Sequence, residues 1–180
     1  MEVEYQLTGD DLFAFQWRAA YLSPKSRRAR RISYLYLLLP FLVIALLPVI
    51  GPGRSMAAAK FNLLMIVTVY PIAALLAGVF HRRMLRRAIR ALVAEEKPEK
   101  GQLGSHKMAI DDVGLVETTP VGQSRTAWSG VDRVEQDTGY IYIYTAPTRA
   151  HVIPKRAFAQ SDADGFYQFA LRHYQEAIAM

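Results

Sequence analysis

Two long apolar runs dominate the polarity pattern of the chain. Residues 32–50 read ISYLYLLLPFLVIALLPVI and residues 61–80 read FNLLMIVTVYPIAALLAGVF, with no Asp, Glu, Lys or Arg in either. At about 1.5 Å rise per residue, each run as a helix would span about 30 Å, the hydrocarbon thickness of a bilayer. A buried hairpin of a soluble protein would use shorter helices with a polar stripe. A cleaved signal peptide would have a shorter apolar core, and a shorter leader than the 31 residues found here. The runs predict a two-helix transmembrane hairpin over 32–80. Pro40, Pro48 and Pro71 lie inside it, where membrane helices tolerate them as kinks.

The flanks carry other periods. After the second run, Met84, Leu85, Ala88, Ile89, Leu92 and Val93 recur at helical spacing with arginines on the other face, predicting that the helix continues into a juxtamembrane segment, 81–100. In residues 1–31, Val3, Tyr5 and Leu7 alternate with polar residues as in a strand, and Thr8-Gly9-Asp10-Asp11 offers a helix start. Phe13, Trp17 and Tyr21 then fall four apart, a stripe that either packs on protein or lies in the lipid interface.

Beyond Pro98, Gly101 and Gly104 the period becomes two. Strands are predicted at 105–110, 114–119, 125–129, 131–136, 140–145 and 149–153, with turn residues between most of them. A closing helix over 161–179, capped by Ser161 or Asp162, presents Phe166, Phe169, Ala170, His173, Tyr174 and Ala177 on one face. The fold class expected is a membrane α-helical hairpin plus a small α+β domain over 101–180. That domain would be a PH-like antiparallel sheet or barrel capped by one C-terminal helix. Whether the N-terminal strand joins that sheet is left open by the sequence.

Charge adds an orientation. The formal net charge is +6, yet residues 101–180 hold seven basic and nine acidic side chains. The basic excess sits beside the apolar runs: Lys25, Arg27, Arg28, Arg30 and Arg31 before the first, and Arg82, Arg83, Arg86, Arg87 and Arg90 after the second. The connection between the runs has only Arg54 and Lys60. By the positive-inside rule both termini are expected in the cytoplasm. Anionic lipid is the expected counter-charge for Arg27, Arg28, Arg30, Arg31, Arg82, Arg83, Arg86 and Arg87, which argues against a nucleic-acid partner. Ala74 and Gly78, within overlapping small-xxx-small pairs, predict close helix packing, inside the hairpin or between two hairpins.

Taken with the two crossings, the stretches MAIDDVGLVETT, SRTAWSGVDRVEQDTGYIYIY and HVIPKRAF resemble the bacterial YcxB-like family. The marks are Gly114 in its turn, Trp128 before the Val131/Val134 strand, and the exit Ile153-Pro154-Lys155-Arg156-Ala157-Phe158. The resemblance implies a membrane-anchored, PH-like cytoplasmic domain, and brings no catalytic residues to map.

Chemistry is sparse. There is no cysteine, no GxSxG, no Walker loop and no GxGxxG. His81, His106, His151 and His173 lack ligand spacing, and only a folded sheet would bring His106 and His151 together. Asp111 and Asp112 read as turn residues. Lys155 and Arg156 end a strand, either as a solvated pair or as contacts for a ligand or partner. Trp128 reads as core. No cofactor or metal is expected.

The reading is a non-enzymatic binding or assembly module in the bacterial inner membrane, its partners the bilayer and a protein or a second copy. The alternatives are a structural subunit of a membrane complex, and a membrane enzyme whose site forms only in the fold. An exposed groove or free sheet edge would mark the first. Contacts through Ala74 and Gly78 would mark the second, and a cleft joining His106, His151 or Asp112 the third.

Overall fold

A computed structural model describes residues 1–50, 55–96, 102–159 and 162–179. The chain divides into two compact units, Met1–Gln16 with Arg90–Met180, and Trp17–Ile89. Arg54, Pro98, Gly101 and Ser161, to which the sequence assigns loop, linker and cap roles, lie outside the described residues.

In the first unit, β1 (Glu2–Leu7) is followed by α1 (Gly9–Trp17). The later elements are β2 (Gly104–Ile110), β3 (Gly114–Thr119), β4 (Gly122–Ala127), β5 (Arg133–Gln136), β6 (Tyr140–Ala146), β7 (Arg149–Pro154) and α4 (Asp162–Ile178). All strand pairs are antiparallel, in a four-stranded sheet ordered β1-β2-β3-β4 and a three-stranded sheet ordered β5-β6-β7. The N-terminal strand does join the later sheet, from Glu2 opposite Ala109 to Leu7 opposite Gly104. The ladders form two sheets rather than a closed barrel.

Alternation builds the core. Val3, Tyr5 and Leu7 of β1, Met108 and Ile110 of β2, and Leu115 of β3 are buried together with Ile141 and Ile143 of β6. On β6 the tyrosine face is buried as well, because α1 covers it: the Phe15 ring lies 6.1 Å from Tyr142 and 6.2 Å from Tyr144. α4 closes the domain with Phe166 and Ala170 in the core, and Tyr174 Oη donates to the Asp132 carbonyl at 2.8 Å.

The predicted strands 125–129 and 131–136 differ at their ends. β4 stops at Ala127, a 3₁₀ turn takes Trp128–Gly130, and β5 starts at Arg133. The turn follows from Trp128, whose ring is buried against His173 while Nε1 donates to the Asp111 carbonyl at 2.8 Å. Asp111 shapes the β2–β3 turn by accepting the Val113 and Gly114 N–H groups at 2.9 Å each. Those two bonds hold its carboxyl below its ordinary range.

In the second unit, a π-helical turn (Arg18–Leu22) precedes α2 (Pro24–Ile50) and α3 (Met56–Glu95). α3 runs unbroken through Pro71 and the basic segment, as the spacing predicts. Both helices are long and apolar enough to cross a membrane, and none of their apolar windows is buried. A core helix of a soluble protein would be mostly buried.

Gly114 lets the start of β3 pair closely with the end of β4: a Cβ there would sit 2.2 Å from the Thr126 carbonyl oxygen. Gly114→Ala must push two backbones apart, and is expected to cost about 1–3 kcal/mol. Thermal unfolding of the detergent-solubilised chain, followed by tyrosine and tryptophan signals, checks this; an unchanged midpoint contradicts it.

Candidate functional site

The β2–β3 register brings polar residues to positions that the alternation would fill with apolar ones. On β2, His106 shares the core face of Met108 and Ile110; on β3, Glu117 shares that of Leu115. Glu117 Oε1 lies 3.0 Å from His106 Nδ1 and accepts from Tyr5 Oη at 3.2 Å, and Oε2 lies 2.8 Å from His151 Nδ1. Tyr5 stacks on the His106 ring at 5.4 Å. Four strands, one from before the apolar helices and three from after them, thus meet at one carboxylate.

Burial alone would push the Glu117 carboxyl up, but the hydrogen bonds and charge of the two histidines hold it well below its usual range. Tyr5 is pushed far up, first by burial and then by the Glu117 charge. A carboxylate kept ionised can only accept, so each Nδ1 carries its proton and each ring orientation is fixed. His106 is buried and its Nε2 has no partner; His151 is more open.

The cluster stands in a cleft of about 420 Å³ along the free edge of β7. Arg149 and His151 line it on the side of β7 that meets Glu117, and Ser124 and Thr126 continue that wall on β4. Leu12 and Phe15 of α1 and Val152 form the apolar side. Alternation predicts neither the cleft nor Glu117. The available signal is a Glu two residues after a core leucine in GLVETT, one strand on from a histidine on a core face.

Two of the three residues named for an enzymatic site, His106 and His151, therefore meet. The third does not: Asp112 is exposed and lies 3.5 Å from His173, whose other nitrogen is 3.1 Å from Glu176. No group of three His, Cys, Asp or Glu suited to a metal occurs among the described residues.

Arg156 has a different environment from Lys155. Its guanidinium makes a bidentate pair with Asp11, at 2.6 and 2.5 Å, and also donates to the Gln6 carbonyl at 3.2 Å. Asp11 is 1% exposed and accepts from the Thr8 N–H and hydroxyl and from Tyr140 Oη at 2.8 Å. Thr8 and Asp11 form the capping box of α1. Burial raises the Asp11 carboxyl, and the bonds from Arg156, Thr8 and Tyr140 more than reverse that. Lys155 lies 3.8 Å from the exposed Asp164.

The juxtamembrane arginines separate into two sets. Arg86 lies over Trp17 at 5.0 Å, and Arg30 and Arg82 over Tyr21 at 4.0 and 5.1 Å. Arg27, Arg28, Arg31, Arg83 and Arg87 have no ring beneath them among the described residues; all five are exposed, as are Arg82 and Arg86. Trp17 and Tyr21 stack at 4.5 Å, so this part of the aromatic stripe packs on protein. Of the small residues, Gly78 faces Tyr34 of α2: a Cβ there would be 2.8 Å from its hydroxyl. Tyr70 Oη also donates to the Tyr34 carbonyl at 2.8 Å, so this face serves packing within the helix pair. Ala74 is half-buried one turn before Gly78.

Residues 110–170, about a third of the chain, match the YcxB-like protein family, the one the sequence resembles. The match includes Glu117, His151 and Arg156 and leaves out Asp11 and His106. No curated protein and no solved structure matches the chain.

Two substitutions separate the carboxylates. Glu117→Gln brings an amide donor against protonated Nδ1 atoms and is expected to cost about 1–3 kcal/mol near neutral pH. Because folding lowers this carboxyl, its stabilisation is present above the ordinary value of 4.5 and is lost as pH falls below it. The gap between wild type and Glu117→Gln should therefore close on acidification; a gap constant from pH 7 to pH 3 refutes the assignment. Arg156→Ala strands a buried carboxylate and should cost about 2–3 kcal/mol. Asp11→Ala combined with Arg156→Ala should recover part of that loss in a double-mutant cycle, and strict additivity would rule out the coupling.

Proposed function

We propose that the chain is a membrane-anchored binding module, with α2 and α3 as a two-crossing hairpin and a PH-like domain on the cytoplasmic side of the bacterial inner membrane. One observation carries this reading: β1 precedes the apolar helices, β2 follows them, and the two strands pair over six positions. Strands that pair must lie on one side of a bilayer, so an even number of crossings is required between them. The basic flanks make that side the cytoplasm. The exposed arginines Arg27, Arg28, Arg31, Arg83 and Arg87, with Arg82 and Arg86, are placed in this reading to meet anionic headgroups.

The PH-like description is supported by four strands, then three, then a closing helix. In this reading the hairpin is an insertion between the first two strands. The binding role is supported by the cleft along β7, whose polar lining includes the partly buried Glu117 carboxylate. That lining is also what favours the second reading, acid–base catalysis by His151 oriented by Glu117. Binding is preferred because His106, the other half of the pair, keeps its free nitrogen buried.

The chain has no cysteine, so single introduced thiols report topology cleanly. Membrane-impermeant maleimide on intact spheroplasts should label Ala57→Cys, and should label Glu4→Cys and Asp112→Cys only after lysis. Labelling of Glu4→Cys or Asp112→Cys from outside would overturn the orientation. Release of the chain by alkaline carbonate would overturn the anchoring.

A further inference from the structure

Building on the binding-module reading, we infer that the cleft along β7 takes a small organic anion: a carboxylate or phosphate head on a short apolar body. The cleft has the volume of a small-molecule site, about 420 Å³. Its lining mixes two kinds of group. Arg149 and His151, two apart on β7, lie on the same side of the strand. Leu7, Leu12, Phe15 and Val152, each largely buried, add apolar atoms to the same lining.

The polar part of the lining suits an anion for three reasons. Arg149 is exposed and carries no ion pair among the described residues, whereas Arg133 and Arg156 each hold carboxylates. The Nδ1 of His151 is tied to Glu117, which leaves Nε2 as the remaining polar atom of the ring for a ligand. Among the described residues Glu117 is the one acidic residue lining the cleft, and its charge is already met by His106, His151 and Tyr5, so it presents no bare carboxylate against the ligand. Ser124, directly opposite Glu117 in the β3–β4 ladder, and Thr126 add hydroxyl donors without adding charge.

Stability alone does not call for this arrangement. A buried charge network returns in Coulomb energy little more than its desolvation costs, and apolar residues in the same space would hold the sheets as well. Placed in the wall of a cleft instead of within the core, the network orients His151 toward whatever enters.

The test uses the full chain in phosphatidylcholine nanodiscs, titrated calorimetrically with hexyl phosphate and with octanoate. Saturable one-to-one binding of either probe is expected, weakened about tenfold or more by Arg149→Gln and by His151→Gln. Arg125→Gln, an exposed arginine on β4 outside the cleft, should leave it unchanged. Arg149 is exposed, so its substitution leaves the fold intact and keeps the test decisive should His151→Gln unfold. Weaker probe binding in phosphatidylglycerol nanodiscs supports the site with a lipid as source; undiminished binding supports it with a soluble one. No saturable binding of either probe, or equal affinity in wild type and Arg149→Gln, overturns the inference. The thiol-labelling pattern does not depend on the cleft, so lost binding with intact labelling rejects this inference and spares the anchoring.

Discussion

The buried carboxylate of Asp11 is the interaction on which the rest of the domain depends. It sits in the first turn of α1 and is held by Arg156 from beyond β7 and by Tyr140 from β6. A carboxylate 1% exposed is tolerable only with its acceptor sites filled, and here cap, tyrosine and guanidinium fill them together. The clamp fixes α1 on the tyrosine face of β6, where Phe15 covers Tyr142 and Tyr144. That placement in turn makes Leu12 and Phe15 a wall of the cleft. Without it, β1 would carry a helix with no fixed seat, and the β6 tyrosines would be half uncovered.

Pairing of β1 with β2 makes the sequence order intelligible. The two strands are separated by the whole helical unit, yet closing a longer loop costs only about 0.6 kcal/mol per doubling, so a long insertion is thermodynamically mild. The stricter condition is geometric: any membrane passage within the insertion must return the chain to the side it left. Two apolar helices meet that condition where one or three would not. Tyr34, Tyr70 and Gly78 then pack the helices through one close contact and one carbonyl hydrogen bond.

Alternation and turn residues made most of the fold legible. Val3, Tyr5 and Leu7 give β1, the Asp111–Gly114 turn gives the β2–β3 hairpin, and the α4 face reads directly from its spacing. The ends of β4 and β5 did not read, because Trp128 bonds the Asp111 carbonyl and that distant contact turns the chain out of the ladder. The clamp was legible in part: Thr8 to Asp11 signals a cap, but its partner Arg156 comes from the far end of the chain. Glu117 was not legible. A lone glutamate in a strand reads as solvent-facing, and only the register against His106 and the approach of His151 from the other sheet make its inward position tolerable.

The buried carboxylate of Asp11 and the partly buried one of Glu117 are satisfied by different groups, and the difference bears on what each can meet. Asp11 is met by a guanidinium, a group that does not titrate in proteins, and its neighbours are a cap and a turn. Such a site holds geometry across pH and offers nothing to a ligand. Glu117 is met by two imidazoles and a phenol, groups with labile protons, and both imidazoles line the cleft, His151 beside an arginine that has no ion pair among the described residues. A fold that needed only cohesion could have used the first solution twice. Using the second in the lining of the cleft places adaptable donors beside open volume, where the Asp11 solution would offer none.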